Sequence, residues 1–117
     1  MQLDWHKCEG NVWCELNKVD LDHQYLKGLE GIFIIWAGKS PKTVLYAGSG
    51  NISDELKKLK KDIAIQAFAP HGLYATWTEV PGSRQDAVLS YIHTQLNPKM
   101  SSRKDFGGPT RKVNLPW

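Results

Sequence analysis

The stretch Gly31-Ile-Phe-Ile-Ile-Trp-Ala-Gly-Lys-Ser-Pro-Lys-Thr-Val-Leu-Tyr-Ala-Gly-Ser-Gly50 carries the architecture of this chain. Residues 32–37 are an apolar run rich in β-branched and aromatic side chains, and residues 44–47 are a second. Between them Gly38-Lys39-Ser40-Pro41-Lys42 has the composition of a hairpin loop. The second run leaves through Gly48-Ser49-Gly50, which reads as a Gly-rich turn opening onto a helix. Such a turn at a helix start is a common place to hold phosphate.

Downstream of the hairpin, Asn51 or Ser53 can cap a helix, with Asp54 and Glu55 in its first turn. Ile52, Leu56, Leu59 and Ile63 recur at four, three and four residues, which is one apolar helical stripe. The helix is expected to run on toward Ala69, where Pro70-His71-Gly72 stops it. Lys57, Lys58, Lys60 and Lys61 fall on its other faces. Their plain reading is a solvated surface; their functional reading is a patch that tracks nucleic-acid phosphates. Residues 73–80 alternate as a third strand. After Pro81-Gly82, Ser83 is the expected cap of a second helix. Its buried stripe is Val88, Leu89, Ile92 and Leu96, and Asn97-Pro98 ends it. His93 is expected beside that stripe, partly exposed.

Upstream, residues 1–30 show no clean period and are expected to wrap the core, with 19–22 as a possible short strand. His6, Cys8, Cys14 and His23 are residue types that bind zinc, but the cysteines are six apart and the histidines bracket them, so no metal is expected. Two cysteines make no disulfide framework, and both are expected as thiols. At 117 residues, 41% hydrophobic and 23% charged, the chain is expected to be one domain, residues 1–117, with its core over 31–100. The start lacks the apolar region of a secretory signal and no run is long enough for a membrane span. The expected setting is cytoplasmic, with no membrane partner. Net charge is +3. The tail, 99–117, concentrates it: Lys99, Arg103, Lys104, Arg111 and Lys112 stand against Asp105 alone. Its last residues, 113–117, are apolar enough to dock back onto the body.

Gly31-Ile32-Phe33 on the first strand and Tyr46-Ala47-Gly48 on the second, followed by Asn51-Ile52, a helix leucine and a late Asn97-Pro98, resemble the GIY-YIG nuclease family over roughly residues 31–100. The resemblance implies an α+β fold with a central three-stranded antiparallel sheet flanked by helices. It also implies an ancestral metal-dependent hydrolysis of a DNA phosphodiester. In the family, tyrosines on the two signature strands, an arginine and often a histidine on the next helix, and a glutamate on the later helix serve that chemistry. Here the first tyrosine position is Phe33 and the second is Tyr46. Glu55 stands at the arginine position and Leu59 at the histidine position. Aligning Tyr91-Ile92 and Asn97-Pro98 puts Leu89 at the glutamate position.

The substitutions point away from catalysis. Loss of one preorganised charge stabiliser costs roughly 10²–10³ in rate, and loss of the carboxylate removes the hold on the metal. Glu55 adds a negative charge where a phosphate would lie. The leading expectation is a degenerate, non-catalytic domain that binds nucleic acid or protein without a cofactor. Lys57, Lys58, Lys60, Lys61 and the tail would serve nucleic acid; an apolar cleft around Phe33, Leu59 and Leu89 would serve protein. One alternative is an active endonuclease with a relocated Mg²⁺ or Mn²⁺ site drawn from Tyr46, Glu55, Glu79 and Asp86. Another is an unrelated small α+β interaction domain.

Overall fold

A computed structural model describes residues 2–100 and 110–117. Arg103, Lys104 and Asp105, part of the basic tail, lie outside the described residues. The strands are β1 (Cys14–Glu15), β2 (Glu30–Ala37), β3 (Thr43–Asn51) and β4 (Leu73–Glu79). The helices are α1 (Ile52–Lys60), α2 (Ile63–Gln66) and α3 (Gly82–Leu96). All strand pairs are antiparallel, in the order β1-β4-β2-β3. No helix among the described residues is long and apolar enough to cross a membrane.

The position of β2 explains its composition. It lies between β3 and β4 and both of its faces are covered, so Gly31 to Ala37 are all buried. A strand buried on both faces reads as a continuous apolar run. Phe33, Ile35 and Ala37 face one way, against Ile52, Leu56 and Leu59 of α1. Ile32, Ile34 and Trp36 face the other way, against Val88, Leu89 and Ile92 of α3. Gly31 sits where the strands are tightest: a Cβ there would lie 1.9 Å from the Thr78 carbonyl oxygen.

The sheet has four strands, not three. The fourth comes from the amino-terminal segment, where Cys14 and Glu15 pair with Ala75 and Tyr74. Two residues are too few to show a period. The segment also donates from the His6 amide to the Trp77 carbonyl at 2.9 Å and accepts from Thr76 Oγ1 at the His6 carbonyl at 2.7 Å. Residues 19–22 form no strand; the Leu21 carbonyl accepts from Ser53 Oγ at 2.7 Å. Beyond α3, the amides of Lys99 and Met100 donate to the carbonyls of Val44 and Leu45, so the β3 margin of the sheet carries backbone partners.

Gly48-Ser49-Gly50 is not an open turn. It continues β3, with Phe33 opposite Gly48 and Gly31 opposite Gly50. Asn51 Oδ1 then caps α1 by accepting from the Asp54 amide at 3.0 Å. The helix ends at Lys60, well short of Ala69, because Asp62 Oδ1 accepts from the amides of Ala64 and Ile65 and starts the short α2. Ile63 consequently leaves the stripe and is 88% exposed.

In α3 the first turn begins at Gly82, behind Pro81, with no side-chain cap, so Ser83 is inside the helix. Asn97 ends it in the left-handed conformation, φ 47°. His93 lies one turn beyond Leu89 and shares its face. It is buried, with Nε2 3.1 Å from the Ala47 carbonyl oxygen. The carboxyl-terminal residues dock as their composition suggests. Asn114 Oδ1 accepts from the Leu3 amide at 2.6 Å, its Nδ2 donates to the Leu3 carbonyl at 2.9 Å, and Val113 is buried.

The cysteines are joined. Cys8 and Cys14 form a disulfide with Cα atoms 5.1 Å apart. A backbone bridge between Cys8 and Val12 folds the segment back, with Gly10 and Asn11 at positive φ in the turn. A spacing of six residues therefore meets across a tight hairpin, which the spacing alone did not reveal.

Candidate functional site

The hairpin brings the two signature-strand rings together. Phe33 is wholly buried, Tyr46 is half-buried, and the rings lie parallel, 2° apart in plane, with centroids at 5.9 Å. Leu59 belongs to the same apolar cluster. Glu55 leans over the end of β3: a Cβ on Gly50 would lie 3.6 Å from its Cγ. Its carboxylate pairs with Lys58 at 3.4 Å. Leu89 is not part of this group. It is buried across the sheet with Ile32, Ile34 and Trp36, on the opposite side chains of the β2 alternation. A carboxylate carried there would not meet Tyr46.

The consequence is chemical. Water attack on a phosphodiester needs a wet cleft, a held metal and cations around the phosphoryl oxygens. Here the Phe33 ring is sealed, Leu59 is part of the core, and Glu55 is a carboxylate paired with Lys58. Glu55, Glu79 and Asp86 are not brought together as a group of three. Among the described residues, the one group of His, Cys, Asp or Glu close enough to share an ion is His6, Cys8 and Cys14, with ligand atoms within 4.8 Å of one another. Its two sulfurs are bonded to each other. A disulfide sulfur is not a thiolate ligand.

The lysines of α1 are partly compensated. Lys57 Nζ is in direct contact with Asp22 Oδ1, and that hydrogen bond raises the Lys57 pKa above its ordinary value. Lys58 is held by Glu55. Asp20 and Asp22 line the same surface recess as Lys57, Lys60 and Lys61. This face is mixed in sign rather than a cationic stripe.

A different part of the surface carries the concave aromatic feature that the sequence reading did not single out. A cavity of about 520 Å³ opens at the loop end of the β2–β3 hairpin, lined by Trp13, Trp36, Tyr74, Lys39, Lys42 and Glu15, with Asn11 and Val12 at its margin. Trp36 meets Trp13 edge-on at 5.5 Å and stacks on Tyr74 at 5.8 Å. Trp117 closes over Trp36 at 4.6 Å. These residues come from four separate parts of the chain. The one signal in the sequence was five tryptophans in 117 residues.

Compared with protein-family models, with curated proteins and with solved structures, the chain matches none of them.

Proposed function

We propose that this chain is a non-catalytic binding domain built on a GIY-YIG-like frame. The support for the frame is the antiparallel hairpin that carries Gly31-Ile32-Phe33 and Tyr46-Ala47-Gly48, running directly into an Asn51-capped helix. The observation that supports a non-catalytic reading is the packing of the buried Phe33 against Tyr46, with the apolar Leu59 in the same cluster. On this reading Phe33 and Leu59 are core, and Leu89 is too far from Tyr46 to share a site with it.

A supercoiled-plasmid nicking assay tests this reading. Purified protein with Mg²⁺ or Mn²⁺ is expected to leave the plasmid intact. Metal-dependent nicking that disappears in Tyr46→Phe or Glu55→Ala would overturn it in favour of a relocated endonuclease site.

A further inference from the structure

We propose that the aromatic trough at the loop end of the hairpin binds single-stranded nucleic acid. The proposal goes beyond the reading of the frame, because the trough shares no residue with the Phe33–Tyr46 pair.

The trough consists of two adjoining cavities. The first, about 520 Å³, is walled by the part-buried rings of Trp13 and Tyr74, with the buried Trp36 packed behind them. The second, about 610 Å³, has Phe68, His71 and again Tyr74. Both volumes fall in the range of small-ligand sites. Tyr74 and Lys39 line both cavities and so form the partition between them. The accessible rings, Trp13 and Tyr74 in the first recess and Tyr74, Phe68 and His71 in the second, therefore recur along the trough, with Lys39 at the division. Sequence-tolerant binding of single strands uses this combination: bases stack on successive rings and cations track the backbone between them.

Charge favours the same occupant. Lys39 and Lys42 line the first cavity. Glu15 is the one carboxylate side chain among its lining residues, and it is held by Lys18 at 3.4 Å. Lys7 and Lys42 lie over the rings of Trp13 and Trp117, at 4.6 and 5.3 Å from their centroids. A base that enters meets rings, and a phosphate that follows meets ammonium groups. A helix in a groove or an acidic peptide would use the lysines but not the paired recesses.

The platform is also pre-shaped. Asn11, Val12 and Trp13 lie inside the ring closed by the Cys8–Cys14 disulfide, so one wall of the first cavity is tied to the sheet edge through β1. Preorganisation of this kind lowers the ordering cost of binding.

The test is fluorescence anisotropy with the full chain and a labelled thymidine oligomer of about ten nucleotides. Quenching of tryptophan emission is read in parallel. Saturable binding that weakens steeply with salt is expected. Tyr74→Leu should weaken it by about 5- to 150-fold, the range for loss of one base stack. Lys39→Ala, an exposed substitution that leaves the core untouched, should weaken binding and lower the salt slope by about one. Replacing Lys57, Lys58, Lys60 and Lys61 together by glutamine should leave it unchanged. Thymidine monophosphate should bind far more weakly than the oligomer. Three results overturn the proposal. One is equal affinity for the monophosphate, which makes the trough a free-nucleotide site. Another is binding of an acidic or proline-rich peptide without binding of the oligomer. The third is oligomer binding lost with the α1 lysines but indifferent to Tyr74→Leu and Lys39→Ala.

Discussion

The Phe33 ring lies parallel to the Tyr46 ring, and the space between them and the strand is closed by Gly48. A Cβ at Gly48 would sit 2.6 Å from Phe33 Cζ and 3.0 Å from Tyr46 Cε1. Gly48 is therefore small because of the aromatic pair, and its role here is packing. Gly48→Ala is expected to destabilise the fold by about 1–3 kcal/mol, as overpacking of a filled core does. Urea unfolding measures the cost. Phe33→Leu in the same chain removes the obstructing ring edge, so the double variant should lose less than the sum of the single losses. Additive losses would show that Gly48 answers to something other than Phe33.

Gly31 and Gly82 make a contrasting pair. At Gly31 the obstacle is backbone, the Thr78 carbonyl oxygen at 1.9 Å, and β2 is held by ladders on both sides. Neither neighbour can move without breaking pairing. Gly31→Ala is expected to cost about 4 kcal/mol or more, among the severe single substitutions. At Gly82, in the first turn of α3, nothing lies within 4 Å of the added Cβ. Gly82→Ala should be neutral or stabilise by about 0.4–1 kcal/mol through the unfolded chain. Equal melting temperatures for the two variants would refute the contrast.

What the sequence showed and hid follows from the range over which each feature is encoded. The hairpin, the Asn51 cap, the α1 stripe through Leu59 and the stripe of α3 are local patterns, and all are present in the structure. β1 is two residues long, so only its pairing with Ala75 and Tyr74 defines it. Ile63 matched the period of the stripe, but the Asp62 side chain offered the backbone a new start and the period broke. His93 looked like a margin residue because the sequence did not show that α3 packs flat on β3, where Ala47 presents its carbonyl. The expectation that Leu89 would join Tyr46 follows chain order, whereas the two lie on opposite faces of the sheet. The aromatic trough draws on Trp13, Trp36, Tyr74 and Trp117, and no window of sequence contains them together.

Reduction of the Cys8–Cys14 bond is expected to lower stability by about 2 kcal/mol, the loop-entropy contribution for so short a ring. Thermal melts with and without a phosphine reductant measure it. The double variant Cys8→Ala, Cys14→Ala should melt near the reduced wild type and ignore the reductant. A wild type whose melting temperature does not respond to full reduction would mean that the turn and β1 hold this segment unaided.

His6 makes stability depend on pH. Its ring is stacked between Trp77, centroid 4.6 Å away, and Tyr25, 5.2 Å away, and Tyr25 Oη lies 2.9 Å from its Nε2. Burial pushes the His6 pKa below its ordinary value of 6.5. Burial also raises the Tyr25 pKa, so that phenol stays neutral across the acidic range. The folded state therefore binds a proton at His6 less readily than the unfolded chain does. Above the ordinary value both states are neutral there and the penalty vanishes; as pH falls through it, the unfolded chain gains protons first and stability drops. His6→Phe keeps a ring in the stack and removes the titration. Urea unfolding between about pH 5 and 7 should show stability rising with pH in the wild type and a shallower rise in His6→Phe. A slope unchanged by the substitution would show that His6 does not carry the pH dependence.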